Sequence, residues 1–120
     1  SSLGLEPGTQ LLVGLARAIA LTMLGEKITA TQAVEIGLIH RVCPAATLLE
    51  DATKLATQLA TQPTVGLGLT KRLLNASLVN DLDAQLALEA ELQGTAGRSA
   101  DYAEGVAAFL AKRKPSFTGR

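Results

Sequence analysis

Apolar residues recur along most of this chain at the three-to-four-residue spacing of helices buried on one face. Between Thr9 and Leu24 the recurring positions are Leu11, Leu12, Leu15, Ala18, Ile19 and Thr22, which predicts one helix capped by Gly25. Thr29-Ala30-Thr31-Gln32 has the spacing of a capping box, in which Thr29 accepts from the Gln32 amide and the Gln32 side chain reaches back. The short helix that it opens should stop at Gly37. Leu38 to Cys43 reads LIHRVC, is β-prone and runs into Pro44, which predicts a short extended segment.

Ala46 to Thr61 is the clearest amphipathic stretch. Leu48, Ala52, Leu55 and Leu59 share one face, and Glu50, Lys54 and Gln58 another, with Glu50 four residues before Lys54. Pro63 ends it. Thr64 to Ala76 predicts a further helix, weakened by Gly66 and Gly68, whose small size lets a neighbouring backbone come close. Asp81 is placed to cap a helix over Leu82 to Leu92, which Gly94 and Gly97 should break. Asp101-Tyr102-Ala103-Glu104 is another capping-box pattern. Its helix should run to about Arg113, with Lys112, Arg113 and Lys114 complementing the dipole of the last turn. Pro115 stops it and Phe117 to Arg120 form a tail. The expected architecture is mostly α: five or six helices with one short extended segment, and no repeat, low-complexity tract or linker.

Composition narrows the function classes. The 120 residues carry 11 Lys and Arg against 11 Asp and Glu, so the formal net charge is zero. That balance argues against a nucleic-acid-binding stripe or a polybasic membrane patch. Apolar residues make up 48% of the chain, too many for a disordered segment. With two Phe, one Tyr and no Trp, a core must come from Leu, Ala, Val and Ile. The lone Cys43 makes no intrachain disulfide, which points to a reducing, cytoplasmic setting. One Cys and one His leave a zinc site short of ligands. The apolar run from Leu11 to Leu24 is interrupted by Gly14 and Arg17 and is too short for a membrane span. The chain opens Ser1-Ser2-Leu3-Gly4, with no signal peptide visible and no methionine, as expected of an internal piece of a longer protein or of a chain whose first methionine is removed by processing.

Residue types alone bring no catalytic constellation together. Gly66-Leu67-Gly68 lacks the third glycine and the preceding strand of a phosphate loop. His40 reads as a partly exposed strand residue, Cys43 as a small buried apolar residue, and Glu89 and Glu91 as a solvated helix face. Zero net charge and few basic residues in Thr31 to Val42 argue against a DNA-reading helix-turn-helix there. The last helix has more content. Phe109 and Lys112 lie three apart, on one helical face. A flat ring beside an ammonium suits an adenine and a phosphate. The plainer alternative is that Phe109 packs in a core and the basic residues only cap the helix.

Several short motifs stand in one order across nearly the whole chain. They are Leu3-Gly4-Leu5 with Pro7, Val13 to Ala18 (VGLARA), Gly25 to Ala30 (GEKITA) and Ala33 to Ile39 (AVEIGLI). The last is Asp101, Glu104-Gly105, Ala108-Phe109, Lys112-Arg113 and Pro115 with Phe117. The series resembles the crotonase superfamily, the enoyl-CoA hydratases and isomerases. Leu59 to Thr64 with Gly66 to Leu69, and Ala96 to Tyr102, resemble the branch that isomerises a ring-epoxide CoA thioester in phenylacetate degradation.

The resemblance implies the C-terminal helical part of a crotonase-like α/β fold built on a ββα spiral. Residues 1–44 would end the core and residues 45–120 would be the helical trimerisation region. It implies an acyl-CoA substrate, a homotrimer or homohexamer, and no metal or redox cofactor. The oxyanion-hole amides, and both glutamates of the hydratase pattern, would precede Ser1, so no catalytic residue is expected in this chain. The isomerase acid that follows the Pro of the "LGL-P" turn is absent, because Gly8 stands there. Glu6 lies on the other side of Pro7, and roughly half a dozen family positions are missing between Leu5 and Val13. Phe109 and Lys112 match the family's aromatic and lysine that meet the adenine and 3′-phosphate of CoA, from a neighbouring subunit. Alternatives are a hydratase parent, or a non-catalytic helical oligomerisation module.

Overall fold

The computed structural model describes residues 9–120. The family-like turn at Leu3 to Pro7, with Glu6, lies outside the described residues. The chain divides into two compact units after Leu48. Among the described residues every regular element is helical.

In the first unit, α1 (Thr9–Val13) and α2 (Leu15–Leu24) pack together. The single helix expected over this span is broken at Gly14, whose φ of 81° has no place in a right-handed helix. Gly25 caps α2 in the left-handed region, as expected. The Thr29–Gln32 capping box is formed in full: Gln32 N donates to Thr29 Oγ1 at 3.2 Å and Thr29 N to Gln32 Oε1 at 2.8 Å. It opens α3 (Ala30–Glu35), which buries Ala33.

The extended segment expected over Leu38 to Cys43 is not a strand. Leu38 N and Ile39 N both turn back to the carbonyl of Ala33. A strand needs a partner for its amides, and no strand lies among the described residues. His40 is accordingly an exposed turn residue and Cys43 is half-buried.

A 3₁₀ turn (Ala45–Thr47) leads into α4 (Leu48–Ala60), α5 (Thr64–Ala76), α6 (Leu82–Gly97) and α7 (Ala100–Leu110). The expected Glu50–Lys54 pair spans one turn of α4 at 2.6 Å. Asp81 caps α6 by accepting from Ala84 N at 2.8 Å. Helix α6 does not break at Gly94: it runs to Gly97. Each glycine costs about 1 kcal/mol of helix propensity, which packing of α6 against both α5 and α7 outweighs. Gln85 Nε2 ties α6 to the Leu73 carbonyl near the end of α5, and Leu92 is buried.

Helix α7 starts one capping motif earlier than expected. Ser99, not Asp101, is the N-cap, accepting from Tyr102 N at 3.1 Å. Asp101 is inside the first turn and buried, and it holds the C-terminal tail. Its Oδ1 accepts from Thr118 N at 2.6 Å and from the Thr118 hydroxyl at 3.3 Å; its Oδ2 accepts from Gly119 N at 2.8 Å. Its own amide donates to the Arg120 carbonyl. Gly119 fits here on two counts: its φ is 76°, and a Cβ on it would meet Thr64 Oγ1 at 2.6 Å.

Asp101→Asn tests this anchor. One carboxylate oxygen would become an NH₂ group facing a backbone N–H of the tail. The expected loss is about 2–4 kcal/mol of unfolding free energy, the worth of one to two hydrogen bonds to a buried charge. Urea unfolding should show it, and hydrogen exchange should show Thr118 and Gly119 among the first amides to be released.

Candidate functional site

Helix α7 ends at Leu110, short of the expected Arg113. The ending has the two hydrogen bonds of a Schellman motif. Arg113 N donates to the Ala108 carbonyl at 3.0 Å and Lys112 N to the Phe109 carbonyl at 3.2 Å. The residue between them, Lys112, has φ 51° and is the one non-glycine residue with positive φ among the described residues. This position is usually glycine, because a side chain there costs about 1 kcal/mol or more. Lys112 is therefore not on the helical face of Phe109, as the spacing had suggested. It stands on the reversed turn just beyond the helix end.

Phe109 is 83% exposed, which excludes the reading in which it packs in a core of this chain. With Tyr102, Gly105, Val106 and Leu110 it lines a shallow apolar hollow of about 280 Å³. The three consecutive basic residues divide their roles. Arg113 is committed to Glu104, with Nη1 to Oε1 at 2.6 Å and Nη2 to Oε2 at 2.8 Å. Lys112 and Lys114 remain exposed. Glu104 Oε1 also accepts from Ser116 N at 2.7 Å. The Arg113 fork, then the Ser116 amide, hold the Glu104 carboxyl down at about 2 from the ordinary 4.5. The same pairing raises the Arg113 guanidinium in turn.

A ring, an apolar hollow and an ammonium suit a planar base and an anionic group. Glu89, on the rim of a second hollow of about 300 Å³ between α5 and α6, has mostly apolar neighbours such as Leu67, Leu73 and Leu92. Sequence reasoning named Phe109 and Lys112 but missed the Glu104–Arg113 fork and the Asp101 anchor. Their partners lie 9 to 18 residues away in sequence, beyond the reach of helical periodicity.

The family model described as enoyl-CoA hydratase/isomerase matches residues 3–120. The chain is 54% identical to 1,2-epoxyphenylacetyl-CoA isomerase of Escherichia coli K12, over all of this chain and 48% of that protein. That alignment runs over 126 positions against 120 residues here, a difference of six, so it opens gaps opposite this chain. It is 39% identical to 2,3-dehydroadipyl-CoA hydratase of the same organism, over 99% of this chain and 49% of that one. Among solved structures, an enoyl-CoA hydratase from Geobacillus kaustophilus HTA426 superposes with a TM-score of 0.89 at 35% identity. It covers 94% of this chain and 44% of that one. The chain thus spans about half the length of the relatives it matches.

The geometry at Glu104 sets a pH response. A carboxyl whose pKa is lowered on folding adds stability above its unfolded value and loses it as pH falls toward its folded value. The wild-type chain should therefore exceed Glu104→Gln in thermal midpoint at pH 7. That gap should close as pH falls from about 4.5 toward about 2. A gap constant across that range would contradict the assignment.

Proposed function

Because the chain belongs to the enoyl-CoA hydratase/isomerase family, the crotonase superfamily, we propose that it is the C-terminal part of an acyl-CoA isomerase of phenylacetate degradation. The reaction is conversion of the ring epoxide of 1,2-epoxyphenylacetyl-CoA into the seven-membered oxepin. The observation that carries this reading is the 54% identity to the E. coli isomerase along the whole chain. The CoA thioester enters as substrate. A cytoplasmic location goes with this reading and suits a chain with one unpaired cysteine. Among the described residues no helix is long and apolar enough to cross a membrane.

In this reading residues 1–44 close the spiral core and residues 45–120 form the helical region of a homotrimer or a homohexamer. The many exposed leucines, Leu48, Leu49 and Leu59 among them, support such contacts. Phe109 covers the adenine of CoA and Lys112 meets its 3′-phosphate, across a subunit boundary. Two features support these roles: the Phe109 ring is turned out to solvent, and a lysine is kept where glycine would be less strained. A lysine serves a phosphate as a mobile point charge.

Assay of the complete protein with 1,2-epoxyphenylacetyl-CoA is expected to yield the oxepin. Preferential hydration of an enoyl-CoA would assign a hydratase instead, and turnover of neither would leave a helical oligomerisation module. Residues 1–120 alone are expected to turn over no CoA thioester, and measurable turnover would place a catalytic group in this chain.

Two substitutions separate binding from folding. Lys112→Gly should raise stability by about 0.5–1 kcal/mol by relieving the left-handed strain, while weakening CoA binding about tenfold. Phe109→Ala should change stability by less than about 0.5 kcal/mol and cost about 1–3 kcal/mol of CoA affinity through lost stacking. Thermal unfolding and calorimetric titration with CoA read the two effects independently.

A further inference from the structure

We infer that Glu104 is a positioning residue for CoA: through Arg113 and Ser116 it holds the reversed turn that presents Lys112. The inference rests on the reading of Lys112 as the 3′-phosphate contact. Lys112 is preceded by the end of α7 and followed by five residues before the tail reaches its Asp101 anchor at Thr118. Its own left-handed conformation is unfavourable, so the turn needs something to keep it from relaxing.

Glu104 supplies that restraint from within α7. Both of its oxygens are engaged by the Arg113 guanidinium, and Oε1 takes the Ser116 amide as well. Arg113 Nη1 in addition donates to the Lys114 carbonyl at 3.2 Å. One carboxylate therefore holds Arg113, the residue after Lys112, by its side chain and Ser116 by its backbone, and Arg113 in turn holds the Lys114 carbonyl. Rotating Lys112 to negative φ would swing Arg113 away from Ala108 and break this set together. The fork is half-exposed, with 47% of the Arg113 and 24% of the Glu104 side chain in contact with solvent. Most exposed pairs add little to stability; a bidentate fork is the exception, and it also admits only one orientation.

The test uses Glu104→Gln and Arg113→Lys in the complete protein, each alone and combined with Lys112→Ala. Gln keeps an acceptor for Ser116 N, and Lys keeps the charge while losing the fork. Binding is measured with CoA and with 3′-dephospho-CoA. Each single variant is expected to weaken CoA binding about fivefold, the scale of one misplaced charge-assisted hydrogen bond, and to leave 3′-dephospho-CoA binding nearly as it was. In the Lys112→Ala background neither should weaken CoA further. KM for the thioester should rise without a matching fall in kcat. Penalties that add to that of Lys112→Ala, or that fall equally on both ligands, would overturn the positioning role while leaving the CoA reading intact. If Lys112→Ala itself does not reduce the preference for CoA over 3′-dephospho-CoA, the CoA reading fails and this role fails with it.

Discussion

A carboxylate with 2% of its surface exposed, and no basic side chain among its hydrogen-bond partners, has to recover its hydration from hydrogen bonds. Asp101 does so with the C-terminal tail. Two backbone amides and a hydroxyl converge on its two oxygens, while its own amide reaches the Arg120 carbonyl. Its place in the first turn of α7 adds the favourable end of the helix dipole. Folding the tail back follows from this demand. It brings Phe117 against Gly105, where an added Cβ would lie 3.6 Å from the ring, and Gly119 against Thr64 at the start of α5. The last four residues, which look like a loose end in sequence, thus close the second unit.

Anchoring the tail constrains the turn before it. The chain leaves α7 at Ala111 and must return to the helix start within a few residues, so it reverses sharply at Lys112. A glycine would make that reversal at least cost. A lysine makes it at the expense of strain, which is offset by the Schellman hydrogen bonds and by the Glu104 clasp. The residue so placed is charged and exposed, three positions after an exposed aromatic ring. Strain that surrounding contacts over-determine is the observation from which the proposed role of Lys112 starts.

Local signals were readable from residues alone because they act over three or four positions. The Thr29–Gln32 box, the Asp81 cap and the Pro63 break are of this kind, and each is present. What escaped depends on distant partners. Leu38 to Cys43 has strand composition but no second strand, so its amides turn to Ala33. Gly94 and Gly97 weaken a helix that packing on both sides preserves. Asp101 has the residue type of a cap, and only the tail shows it to be an anchor. The end of α7 was misjudged for a related reason: Lys112 and Arg113 are good helix formers, and their local propensity favours continuing. Phe109 and Lys112 stand out by residue type and spacing and again by family resemblance, yet the left-handed turn that defines their relation is invisible at the level of spacing.

The buried apolar residues among those described are Val13, Ala33, Leu92 and Ala108, two of them alanines. Such a core is small for the leucine content. Helix α4 shows the imbalance: it buries none of its residues, and a helix of 13 residues is marginal in water unless a face is covered. Each leucine left in solvent forgoes about 1.5–3 kcal/mol, so a few such faces equal the net stability of a domain at about 5–15 kcal/mol. A chain spanning 48% of the E. coli isomerase's length leaves faces that the remaining length and the neighbouring subunits of the proposed oligomer would cover. Phe109 belongs to the same uncovered surface, beside Tyr102 at 56% and Leu110 at 75% exposure. If Phe109 and Lys112 hold CoA as proposed, a nucleotide site there would be complete only in the assembly. In that reading, binding energy gained at the adenine and phosphate end would be available to the reaction at the acyl end.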